Sequence, residues 1–223
     1  MQIAVGDIVN PVATLIAAFA GAWFAFTYQN RQKAKDEVRQ NISAGNRALV
    51  TLFQQANSLK LYQVDMIQPH RESPGRHIQV QPTLPFQEDS LSFDVKSLDF
   101  LLSRDTVQVL LDLILEEARY REAIKAINAR SQHHFAIVQP KLQSAGIVEG
   151  GEYSGQDFRN ALGDLDYMHL KRLTDAVVLH VDRTIESLVS AKDRLRGALV
   201  GKYPEGKFIN FELLNEPPKS IFS

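Results

Sequence analysis

The sequence predicts an all-α protein: one N-terminal transmembrane helix continuing into a cytoplasmic antiparallel bundle of three long helices with short extra helices. Three observations carry that reading. Residues 8–28 hold no charged side chain, three later stretches repeat apolar residues at three- and four-residue steps, and little of the chain alternates at the two-residue period of a strand. The expected division is an anchor over 1–28, a helical bundle over 29–200 and an extended tail over 201–223.

The run IVNPVATLIAAFAGAWFAFTY is 21 residues long, which at about 1.5 Å per residue matches the roughly 30 Å of a hydrocarbon core. A cleaved secretory signal is the rival reading, because Ala20-Gly21-Ala22 has the small-x-small form of a cleavage site. A signal needs positive charge before its apolar region. Here Asp7 is the only charged side chain before residue 30, and the run exceeds the usual apolar length. Arg31, Lys33, Lys35 and Arg39 follow the run and no Lys or Arg precedes it. The positive-inside rule then places the protein in the inner membrane as a single-pass chain, N-terminus outside and bulk in the cytoplasm. Zero cysteines agree with that compartment.

Within the run, Ala13, Ala17, Gly21 and Ala25 recur every four residues, beside a second row of Thr14, Ala18 and Ala22. Small faces let helices approach closely, so Ala13, Ala17, Ala18, Gly21, Ala22 and Ala25 are expected to form a homo-oligomer interface. Asn10 and Thr14 are the candidate polar lining should the oligomer enclose a pore. No charged ring of the kind that advertises a selective channel is present. The expected partners are the lipid bilayer, further copies of the chain, and a cytoplasmic protein or anionic ligand.

The first long helix is expected over 30–67, with Val38, Ile42, Leu49, Leu52, Phe53, Ala56 and Leu59 on one stripe. It should run straight out of the membrane. A second, over 106–138, carries Val107, Leu110, Leu111, Ile114, Ala118, Ile124 and Ile127 and should stop before Pro140. The third, over 165–199, has a near-heptad stripe of Leu173, Val177, Val181, Ile185, Leu188, Leu195 and Leu199, ended by Gly201 and Pro204. Stripes of this kind must be buried against one another, which predicts an up, down, up bundle. The connection 68–105, with Pro69, Pro74, Pro82 and Pro85 and a short helix over 93–102, should then be distal. The connection 141–164 should lie near the membrane, with Ser154 and Asp157 opening a short helix over 158–162. The tail should lay Phe208, Ile209 and Phe211 back on the bundle as a strand or extended arm.

Candidate chemistry is sparse. The formal net charge of −1, with both signs interleaved, carries no nucleic-acid footprint. His133 and His134 with Arg130 form one cluster and His169, Lys171 and Arg172 another; an antiparallel bundle brings the two to one end. Adjacent His133 and His134 do not share a helix face, so no metal site is expected. No cofactor motif occurs: there is no phosphate loop, GxSxG elbow or GxGxxG turn. Glu116 with Arg119 and Glu117 with Arg121 read as surface ion pairs.

The segment HRESPGRH, with His70, Arg71, Arg76 and His77, is the candidate partner-binding loop, since scaffold-end loops commonly carry binding. Within it, Arg71 and His77 are separated by five residues and resemble the Arg-x4-6-His pattern of HEPN ribonucleases. That resemblance implies a metal-independent, membrane-tethered ribonuclease acting on the ribose 2′-hydroxyl, with Arg71 and His77 as its pair.

The layout of one span, a small helical domain and self-association resembles the membrane-anchored accessory and effector proteins of bacterial defence systems, including those of type VI CRISPR loci. It implies an effector that perturbs or gates a membrane when the bundle receives a signal. The leading expectation is therefore a non-enzymatic homo-oligomer acting through interactions, with the ribonuclease and a passive scaffold as alternatives.

Overall fold

The computed structural model describes residues 6–87, 91–148 and 150–213, with the side chains of the first stretch described from residue 17. Nearly all of its regular structure is helical. A long helix α1 (Gly6–Tyr62) passes without a break through the expected boundary at residue 28 and ends in a π turn (Gln63–Ile67) and a 3-10 turn (Gln68–His70). Then come α2 (Arg76–Gln79), a 3-10 segment (Val95–Leu101), α3 (Val107–His133), a second π turn (His134–Val138), α4 (Gln139–Ser144), α5 (Gly155–Leu162) and α6 (Asp164–Lys202).

The three long helices pack through interlocking stripes. In α3, Leu113, Glu116, Tyr120, Ala123, Ile127 and Arg130 are buried at alternating three- and four-residue steps. In α6 the same rhythm buries Leu170, Thr174, Val177, Val181, Thr184, Leu188, Ala191, Leu195 and Leu199. From α1, Ala44, Ala48, Leu52, Ala56, Leu59 and Tyr62 complete the core. Several predicted core positions face outward instead: Leu111 and Ile114 are exposed because the buried α3 stripe is rotated from the predicted one, and Val38 because it lies on the part of α1 that stands clear of the bundle.

The order of directions differs from the predicted up, down, up. Asn41 bonds Tyr203 and Gln63 bonds Asp182, so α1 and α6 are antiparallel. Asp112 bonds Arg194 and Arg130 bonds Thr174, so α3 and α6 are antiparallel as well. Hence α1 and α3 run parallel, and α6 packs along both. The physical reason lies in the connection. From residue 80 to 95 an extended chain reaches about 50 Å, more than the roughly 40 Å rise of α3, and Pro82 and Pro85 favour extended backbone. Its described parts, 81–87 and 91–94, therefore form a strap along the bundle rather than a distal loop. Thr83 N donates to Ser131 Oγ, Gln55 to Leu91 O and Phe93 N to Glu117 before the 3-10 segment begins at Val95. The connection 141–164 consequently lies at the far end of α1, not at its start.

Two asparagines hold extended chain as a neighbouring strand would. Asn128 accepts from Phe86 N (2.9 Å) and donates to Phe86 O (2.9 Å). Asn46 accepts from Ile209 N (2.9 Å) and donates to Lys207 O (3.0 Å). The tail thus lies on the bundle as an arm, with Phe208 and Phe211 packed on the core and Ile209 exposed. Asn128→Ala and Asn46→Ala should each cost about 1–2 kcal/mol in urea denaturation, the Asn128 change more, because its partner Phe86 packs on buried Tyr62.

Smaller differences have local causes. The second helical path does not stop before Pro140: the π turn resets the ladder so that Pro140 falls in the first turn of α4, where its missing N–H is tolerated. The Ser154–Asp157 capping box is present and starts α5 at Gly155. Gly163, at φ 78°, ends α5 and opens α6 with no intervening linker. At the other end of α6, a Cβ on Gly45 would stand 2.7 Å from the Leu199 side chain, so this glycine permits the close α1–α6 crossing.

Among the described residues no helix is long and apolar enough to cross a membrane. This overturns the single-pass, inner-membrane placement with the N-terminus outside and the bulk in the cytoplasm. Asn10, Ala13 and Thr14 lie outside the residues whose side chains are described.

Candidate functional site

A polar centre sits where the end of α1, α2, the end of α3 and the start of α6 meet. At its heart is Arg130, fully buried on the inward stripe of α3. Its Nε donates to Thr174 Oγ1 (2.9 Å), its Nη1 to Gln81 O (3.4 Å) and its Nη2 to His77 O (3.3 Å) and Val80 O. Thr174 in turn donates to Leu170 O (2.9 Å). None of these partners is a carboxylate. The guanidinium is held by carbonyl dipoles where α2 runs into the strap, and burial lowers its pKa while the nearby Tyr62 phenol opposes that shift.

Histidines surround this cation. His77 is buried with its ring edge-on to Tyr167 at 4.7 Å, and His133 meets His169 edge-on at 4.7 Å. The two clusters predicted on α3 and α6 therefore converge, as does the HRESPGRH segment, which the up, down, up order had placed at the opposite end. Burial lowers the pKa of His77, with Lys171 adding to it and Asp175 opposing. Burial and then His169 lower that of His133. For His134, burial followed by Arg130 and His133 pushes the pKa down to about 4. His77 Nε2, His133 Nε2, His134 Nδ1 and the Tyr62 hydroxyl are buried with no hydrogen-bond partner among the described residues. Each of these shifts favours the neutral imidazole, which leaves Arg130 as the fully buried cation among them.

Arg71 and Arg76 do not stand free as a basic loop. Arg71 donates both terminal nitrogens to Asp182 (2.8 and 2.8 Å), and Arg76 donates to Asp175 (2.7 Å), two turns earlier on α6. Burial opposes ionisation of Asp182, but hydrogen bonds from Arg71 and Gln63 outweigh it and hold its carboxyl below the usual range. His70 is half-buried in the same turn. For the ribonuclease pattern, the geometry leaves Arg71 committed to Asp182 and His77 packed under Tyr167. A pair acting on a ribose hydroxyl has to face the substrate with both side chains.

Glu116, read from the sequence as a surface partner of Arg119, is 1% exposed. It lies on the inward stripe and accepts from Arg119 (2.6 Å) and Ser187 (2.5 Å). Glu117 and Arg121 do pair at the surface side of α3, at 2.6 Å. Among the described residues no group of three or more His, Asp or Glu side chains is placed to hold a metal ion.

Sequence reasoning missed Arg130 as the organising group and missed Thr174 altogether. The signal was available: Glu116, Arg130 and Thr174 fall in phase with the apolar heptads, and a charged side chain at such a position must find buried partners.

At the opposite end, α1 stands clear of the body. From Ala17 to Gln40 every side chain is exposed except half-buried Thr27, which donates to Trp23 O. Phe19, Trp23 and Phe24 are 71%, 71% and 72% exposed, and Phe26 and Tyr28 also face outward. Ala17, Gly21 and Ala25, with Ala18 and Ala22, lie on this free half, and nothing comes within 4 Å of a Cβ built on Gly21.

Fold and site together define an all-helical bundle with a buried cationic centre at one end and an uncovered helix at the other. Comparison with protein-family models, curated proteins and solved structures found no match.

Proposed function

We propose that this chain is a non-enzymatic, self-associating helical protein that acts through interactions, the free half of α1 gathering further copies. One observation carries the reading: five large aromatic side chains and a row of small ones stand exposed on a helix that is continuous with the core of the body. A helix apolar on most of its surface needs cover in water, and small rows permit close helix approach. A second copy of the same helix supplies both. Because α1 runs unbroken from this surface to Tyr62, a change in how the copies pack reaches the Arg130 end through one rigid element.

The test is the native mass of the purified chain in detergent-free buffer. The expected result is a discrete oligomer that Ala17→Ile with Gly21→Ile reduces to single chains while the helical signal of the body is retained. A single-chain mass for the unsubstituted protein overturns the proposal. So does co-sedimentation of single chains with lipid vesicles, which would assign the aromatic surface to lipid.

A further inference from the structure

Beside the Arg130 centre, α4, α5 and the loop joining them enclose a cleft of about 430 Å³. That volume lies within the range of small-molecule sites. Its inner wall is His134, 5% exposed and belonging to the π turn. Gln139 and Gln143, one helical turn apart on α4, present two carboxamides to the same space, and neither side-chain amide has a hydrogen-bond partner among the described residues. Gln81 adds a third from the strap.

The remaining surface is apolar and partly aromatic. Tyr153 and Phe158 meet edge-on at 6.0 Å. The Tyr153 hydroxyl is fixed to the loop, accepting from Val148 N (3.1 Å) and donating to Gly146 O (3.4 Å). Its ring lies so close over the loop that a Cβ on Gly151 would stand 2.5 Å from it, so this glycine lets the ring act as a fixed wall. Among the described lining residues there is no Asp, Glu, Lys or Arg.

A cleft of this composition discriminates by chemistry. With no charged side chain among the described lining residues to receive it, a carboxylate or phosphate entering would lose hydration without compensation. A planar ring is welcomed by the aromatic walls. Carboxamides offer a donor and an acceptor side by side, the arrangement that pairs bidentately with an amide-like edge, as Asn and Gln do with adenine. From this geometry we infer that the cleft is a binding site for an uncharged planar nitrogen heterocycle whose edge carries adjacent donor and acceptor groups, read by Gln139 and Gln143. His134 closes the inner wall without adding charge, since the neighbouring Arg130 already occupies the centre behind it.

The inference is tested on the full chain by calorimetric titration with adenine, uracil and nicotinamide. At least one of them should bind saturably, one per chain. If adenine is the probe that binds, 6-dimethylaminopurine, which keeps the ring but blocks the donor, should bind about tenfold more weakly. Gln139→Leu and Gln143→Leu should each weaken binding about tenfold, whereas Gln156→Leu on α5, outside the cleft, should leave it unchanged. Gln139 and Gln143 are solvent-exposed, so both variants should fold. Absence of saturable binding by all three probes overturns the assignment, as does equal binding of the blocked purine or unchanged affinity in both cleft variants.

Discussion

Arg130→Ala should destabilise the protein by about 4 kcal/mol, a large share of the 5–15 kcal/mol typical of a folded domain. The substitution removes a fully buried side chain and leaves the carbonyls of His77, Val80 and Gln81 and the Thr174 hydroxyl without their donor. Each such group costs about 1–3 kcal/mol if it stays buried and unpaired, and the cavity adds to it. Arg130→Met keeps much of the packing while deleting every donor, and should cost about 2 kcal/mol. Urea denaturation of both variants separates the two contributions. A loss below about 1 kcal/mol for Arg130→Ala would mean that the carbonyls find other partners and that this cation does not organise the end of the bundle.

Acid should weaken the same end. The pKa of His134 falls from about 6.5 unfolded to about 4 folded. Between those values the unfolded chain binds the proton and the folded chain does not, so stability rises with pH. It is complete above about pH 6.5 and is lost as the pH falls toward 4, by roughly 2–3 kcal/mol for His134 alone. His77 and His133 shift in the same direction and steepen the loss. Asp182 and Asp166, whose carboxyls are held below their usual range, contribute only at still lower pH. Urea midpoints from pH 7.5 to 4 should fall steadily in the unsubstituted protein and much less in His134→Gln. A flat profile in both would contradict a neutral, buried His134.

The long helices were readable in the sequence because their apolar periodicity persists for many turns, and the Ser154–Asp157 box because its two residue types at three-residue spacing have few other uses. Their directions were not readable. Consecutive helices usually lie antiparallel, and that habit outweighs the signal in Pro82 and Pro85 that the intervening chain is extended and long enough to return along the bundle. The error propagated: with α3 drawn the wrong way, the HRESPGRH segment and the histidines of α3 and α6 appeared at opposite ends.

The α3 stripe was drawn through Leu111 and Ile114 because they are apolar, whereas the buried stripe runs through Glu116 and Arg130. Apolar count and heptad phase disagree there, and phase wins, since one face of a helix must meet α6 along its whole length. The candidate site followed the same pattern. Its histidines and arginines were recognisable by type, but their burial and their commitment to carbonyls or to Asp175 and Asp182 are tertiary facts. The membrane placement rested on the absence of charge over 8–28, whereas no helix among the described residues is both long and apolar enough to cross a membrane.

The central claim, that copies meet along the free half of α1, is tested most directly by single-cysteine crosslinking. The chain has no cysteine of its own, so each substitution reports one position. Cysteines introduced one at a time from 17 to 28 should crosslink between chains with helical periodicity, strongest at 17, 21 and 25, close behind at 18 and 22, and weakest at 23 and 27. Crosslinking that is absent at every position, uniform along the segment, or strongest at 19, 23 and 26 would contradict it.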